Sequence, residues 1–186
     1  DINKAIVIER VTPDIILFPV YGRNTIMWQD ITGKRRTSKG RLFVPVWLEK
    51  ELSLAMVQLM GNFRWEKCRT ETGSHWNDFR YPSLTSEYTD YLQFYKKNSE
   101  LSPERKNKIR AQLVQCNNKH KEVFLKDYAD WILREARGAM KLSRVARAIL
   151  FTYCPFSAET MKALEGQTAY SEAAKKYIRD NRAARK

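Results

Sequence analysis

Glycine and proline are scarce in this 186-residue chain, 7 and 6 in all, which leaves few sites for tight turns. With 30% charged residues, that scarcity predicts long regular elements and favours helix over a many-turned all-β fold. Cysteine is also rare, and three residues without a disulfide-rich pattern exclude a stapled scaffold. They are read as reduced thiols in an intracellular, cytoplasmic setting. No apolar run approaches the ~18 residues of a membrane span, so no transmembrane segment is expected. The start, DINKAIVIER, lacks the basic opening and apolar centre of a secretory signal. Having no initiating methionine, it fits a piece of a larger chain.

What is present is a core and an excess of positive charge. Hydrophobic residues make up 43% and aromatics 12%, enough to pack one domain of this length. The net charge is +13, unevenly divided: +4 over residues 1–98 and +9 over residues 99–186. Clustered Lys and Arg neutralise phosphates and release counterions, so the balance points to a polyanionic partner, nucleic acid first. An acidic protein or membrane surface fits the same charge.

The hydrophobic patterning divides the chain near residue 46. AIVIERV, DIILFPV and TIMWQDIT are short runs split by Thr12-Pro13 and Gly22-Arg23-Asn24, and LFVPVW follows. They predict short strands in a small antiparallel β unit over 1–46, the second ending at Pro19 or lying at an edge. From Leu48 the apolar spacing is three to four residues, through Leu52, Ala55, Leu59 and Phe63. The class is therefore α+β, with a mainly helical region over 47–186. Gly61 is expected to weaken the last turn of the first helix. Residues 68–82 read as a loop, with Trp76 and Phe79 tucked onto the core.

SPER at 102–105 is a helix start, with Ser102 as N-cap, Pro103 at the first helical position and Glu104 at the positive end of the dipole. Helical spacing then continues to Gly138, with a break expected near Asn117-Asn118. Shorter helices follow, separated by Pro155 and Gly166.

Two basic features are candidate phosphate contacts. GKRRTSKGR at 33–41 places Lys34, Arg35, Arg36, Lys39 and Arg41 in one hairpin loop. Its glycines do not match a nucleotide-cradling P-loop, so no nucleotide hydrolysis follows. Arg134, Arg137, Lys141, Arg144 and Arg147 are spaced three or four apart and would share one face of a continuous helix. The helices on either side of TYCPF loosely resemble a helix-turn-helix, although that turn is too long.

The chemistry-bearing alternatives are weaker. Cys68 with His75, and Cys116 with His120 one helical turn apart, would together make a zinc tetrahedron in non-standard spacing. Otherwise no cofactor is implied. His75 and Asp78 in GSHWNDFR offer a base and a carboxylate for a hydrolase or nuclease, without an evident nucleophile. Tyr88, Tyr91, Phe94 and Tyr95 beside Lys96-Lys97 are either a base-stacking platform or one buried helical face, and the second is favoured. The leading expectation is non-catalytic nucleic-acid binding through the phosphate backbone. A regulatory or protein-interaction module is the rival.

Overall fold

The computed structural model describes residues 12–28 and 40–183. The chain is α+β: among the described residues three short strands, β1 (Asp14–Gly22), β2 (Ile26–Trp28) and β3 (Arg41–Leu48), precede a larger helical region. The AIVIERV run falls outside the described residues. Strand order is β1-β3-β2. β2 pairs antiparallel with β3, from Ile26 opposite Phe43 to Trp28 opposite Arg41. β1 pairs with β3 in parallel, so the sheet is mixed where the sequence predicted a wholly antiparallel unit. β3 inserts between the two strands that precede it, a choice of neighbour that local patterning does not specify.

The two strand prolines sit where a missing N–H is tolerated. β1 continues through Pro19 at the sheet edge, with a register shift between Phe18 and Tyr21. β3 continues through Pro45, beyond the last residue that β2 pairs with, so that flank has no ladder to break.

Helix α1 (Leu52–Thr72) covers the sheet. Its Leu59 and Phe63 close a small cluster with Leu42 and Val44. It runs ten residues past Asn62, through a glycine expected to weaken it. Gly61 is there for approach: a Cβ at this position would lie 2.7 Å from the Tyr128 ring. The helix ends at Gly73, whose φ of 58° is left-handed.

Six further helices follow. These are α2 (Leu84–Phe94), α3 (Pro103–Gln115), α4 (His120–Leu133), α5 (Arg144–Tyr153), α6 (Ala158–Ala163) and α7 (Thr168–Ala183). Ser83 caps α2 reciprocally, accepting from Ser86 N at 3.1 Å while Ser86 Oγ accepts from Ser83 N at 2.9 Å. Ser102 caps α3 as its sequence indicates, accepting from Arg105 N. α3 and α4 are separated at Asn117 and Asn118, whose φ values of 51° and 56° suit asparagine better than any β-branched residue. Trp131, Tyr88, Phe124, Leu92 and Leu150 are fully buried between the helices. Phe124, Leu92 and Leu150 each contribute roughly 1.5–3 kcal/mol by leaving water. Trp65 of α1 joins them, its ring 5.0 Å from Phe124. Among the described residues, no helix is long and apolar enough to cross a membrane.

Candidate anion-binding face

The Arg134–Arg147 stripe does not form one helical face. α4 stops at Leu133, a short 3-10 turn spans Glu135–Arg137, and Gly138 at φ 89° ends it six residues before α5 begins. Arg147 faces inward and is 5% exposed. Its Nε donates to Glu135 Oε2 at 2.7 Å and its Nη2 to Glu135 Oε1 at 3.1 Å. Leu142 N and the Tyr170 hydroxyl also donate to that carboxylate, at 2.7 and 2.8 Å. Burial pushes the Glu135 carboxyl up, but these donors outweigh it and hold it below the usual carboxylate range. Arg147 is thus a brace between α5, α7 and the turn after α4, not a phosphate contact. Arg134 bridges Asp130 at 3.0 Å and Arg144 bridges Glu172 at 3.4 Å.

Lys141 belongs to a different grouping. The segment after Gly138 folds back onto α3, where Arg105 Nη1 and Lys108 Nζ both donate to the Lys141 carbonyl, at 2.8 and 3.3 Å. Arg105 and Lys108 are three apart and share a face of α3. Beside them, Lys106 Nζ donates to the Lys96 carbonyl at 2.8 Å, drawing in the turn after α2. Among the described residues, none of Lys96, Arg105, Lys106, Lys108 and Lys141 has a carboxylate partner within 4.0 Å. Cations without such a partner, contributed by three segments, can donate to phosphate or carboxylate oxygens.

The floor beneath is polar. The Tyr91 hydroxyl lies 3.0 Å from Ser143 Oγ, which caps α5 by accepting from Ala146 N at 3.1 Å. Burial pushes the Tyr91 phenol up to about 12, so it stays protonated and adds no negative charge under the cations. Arg105 and Lys108 are absent from the sequence-based set because RKNKIR reads as a helix start. The available signal was their i, i+3 spacing near the start of the helix, beside the apolar Ile109. Lys34, Arg35, Arg36 and Lys39 lie outside the described residues. Arg41 opens β3 with its side chain exposed.

The other candidates do not assemble. His75 Nδ1 is 3.9 Å from Asp78 Oδ2, beyond hydrogen-bond reach. Asp78 is gripped by Arg80, through Nη2 at 2.7 Å, Nε at 3.0 Å and the backbone N at 3.0 Å. Those bonds take its carboxyl down to about 2, too weak a base to take a proton near neutrality. His75 instead rests on the Tyr81 ring, 4.1 Å between centroids. Phe79 is 71% exposed rather than tucked in, whereas Trp76 packs on the core.

The zinc set fails because its helix is broken. Cys116 ends α3 and His120 begins α4, so they are not one turn apart on one helix. Cys68 is buried against Thr85 Oγ1 at 3.5 Å. Among the described residues no three His, Cys, Asp or Glu side chains gather to hold a metal. Tyr88, Tyr91 and Tyr95 are core residues, and only Phe94 of that group is exposed.

A family described as a domain of unknown function (DUF8509) matches residues 73–186. The matched segment contains α2 to α7 and the whole cationic face, and it leaves out the sheet and α1. No curated protein and no solved structure matches the chain.

Proposed function

We propose that this chain, which belongs to the family of the domain of unknown function DUF8509, binds nucleic acid through its phosphate backbone without catalysing a reaction on it. The observation that carries the reading is the meeting of Arg105 and Lys108 on the Lys141 carbonyl, neither with a carboxylate within 4.0 Å among the described residues, in a chain of net charge +13. Like charges held this close repel one another, and a polyanion relieves that repulsion while releasing its own counterions.

The face offers cations and no base-reading set, which suits sequence-independent binding. Lys34, Arg35, Arg36, Lys39 and Arg41 add further phosphate contacts in this reading. Three buried, unpaired cysteines fit a reducing, cytoplasmic setting.

Filter binding with mixed DNA and RNA at low and moderate salt is the test. Affinity for both should fall steeply with salt, and removing Arg105, Lys108 and Lys141 together should weaken all sequences alike. Binding that ignores salt, or that survives the triple change, overturns the proposal. Retained binding to polyglutamate with none to nucleic acid would move the face to an acidic protein partner.

A further inference from the structure

A cavity of about 350 Å³ lies where α4 begins, lined by Trp65, Trp76, Lys119, His120, Lys121 and Glu122 among others. Its size is near the lower end of the ~300–1,000 Å³ typical of small-ligand sites, room for one ring system with a substituent. The two indoles come from different segments, α1 and the turn that follows it. Trp65 is fixed, wedged against Phe124 at 5.0 Å and edge-on to Tyr88 at 6.3 Å. Trp76 is half-buried, and its own carbonyl is pinned by the Thr85 hydroxyl at 2.6 Å.

The rim carries both signs, Lys119 and Lys121 beside Glu122. Lys121 is held by Glu66 at 3.1 Å, while Lys119 is exposed and has no carboxylate within 4.0 Å among the described residues. Burial lowers the pKa of His120, so at neutral pH its imidazole is uncharged and can both donate and accept. Trp65 is only 3% exposed, so the half-buried Trp76 indole is the surface that favours a flat ring, and a lysine without a carboxylate partner favours an anionic substituent on it.

We propose that this cavity receives one unstacked base of a single-stranded nucleic acid, with the adjoining phosphate on Lys119. The assignment rests on the nucleic-acid reading above and adds a preference that the phosphate-gripping face does not have. A duplex keeps its bases stacked and presents none to the cavity. In this reading the strand makes two kinds of contact, phosphates on Arg105, Lys108 and Lys141 and one ring on Trp76.

The experiment compares a short oligothymidylate with a duplex of the same length, by fluorescence anisotropy and by intrinsic tryptophan quenching. Wild-type protein should bind the single strand more tightly, with quenching. Trp76→Leu should weaken single-strand binding at least about fivefold, the lower end for loss of one base–aromatic stack, and leave duplex binding unchanged. Trp76→Phe should restore most of the loss, and both variants should melt as the wild type does. Equal single-strand affinity in Trp76→Leu, or equal loss on duplex and single strand, overturns the base pocket while leaving the phosphate-binding reading intact. If wild-type protein binds neither nucleic acid, both fall. If it binds thymidine monophosphate with quenching but no strand, the ring pocket is a free-nucleotide site and the strand proposal is overturned.

Discussion

The Tyr88 hydroxyl donates to Asp127 Oδ2 at 2.6 Å in the middle of the helical core, tying α2 to α4 through a carboxylate that is 5% exposed. Gln112 of α3 donates to the other oxygen at 3.0 Å, so three helices share one acid. Burial raises the Asp127 pKa, and the bonds from Tyr88 and Gln112 with the nearby Lys108 charge offset only part of that, while Asp130 adds to it. An acid whose pKa rises on folding takes up a proton as the chain folds. Its contribution is present below the unfolded value of about 3.9 and is lost as pH climbs through the folded value. Asp127→Asn should remove this dependence. Urea unfolding of the two proteins at a series of pH values should show the variant gaining on the wild type as pH rises from about 4. Tyr88→Phe, which leaves a buried acceptor short of a donor, should cost about 1–3 kcal/mol at neutral pH.

Glu135 behaves in the opposite sense, because its carboxyl is held low by Arg147, Leu142 N and Tyr170. Its contribution is present above the unfolded value of about 4.3 and is lost as pH falls through the folded one. Arg147→Met, which leaves the carboxylate buried without its cation, should destabilise by about 3–5 kcal/mol in urea unfolding. Under conditions where the variant remains folded, its nucleic-acid affinity should equal that of the wild type.

The cationic face makes a graded prediction. Replacing Arg105, Lys108 and Lys141 by glutamine singly and then together should lower the slope of log affinity against log salt by roughly 0.7–0.9 per residue removed. Arg134→Gln and Arg144→Gln should change it less, since those guanidinium groups already bridge Asp130 and Glu172. The slope measured by filter binding separates the two sets.

Gly61 tests the seam between α1 and α4. Glycine in a helix interior ordinarily costs about 1 kcal/mol relative to alanine, so alanine there should stabilise an open surface. Here the added methyl meets Tyr128 Cδ1 at 2.7 Å and Leu125 Cδ2 at 3.2 Å. Gly61→Val should therefore destabilise by about 1–3 kcal/mol, with a lower thermal midpoint, and Gly61→Ala should fall between it and the wild type.

Local signals in the chain were legible because their causes are local. Ser102, Pro103 and Glu104 start α3 through side chain, ring and charge within one turn, and Asn117-Asn118 end the pairing of Ile109 and Leu113 with a left-handed corner. The parallel pairing of β1 with β3 was not legible, since both antiparallel and parallel neighbours satisfy the same short apolar runs. The cationic face escaped for a similar reason. Lys141 is separated from Arg105 by 36 residues, and only the reversal at Gly138 brings its carbonyl within reach. Arg147 turns inward to a buried glutamate twelve residues upstream, a partner about which charge spacing along a sequence says nothing.

The segment shared with the family begins at the glycine that ends α1, yet the core within that segment is incomplete without α1. A fragment cut at Gly73 would leave the Phe124 ring, now fully buried, facing water where Trp65 had been, with Tyr88 stripped on one edge. The boundary drawn by sequence similarity and the boundary of independent folding are therefore different in this chain. Expression of residues 73–186 alone should give an aggregation-prone product, whereas a cut placed before α1 keeps that packing whole.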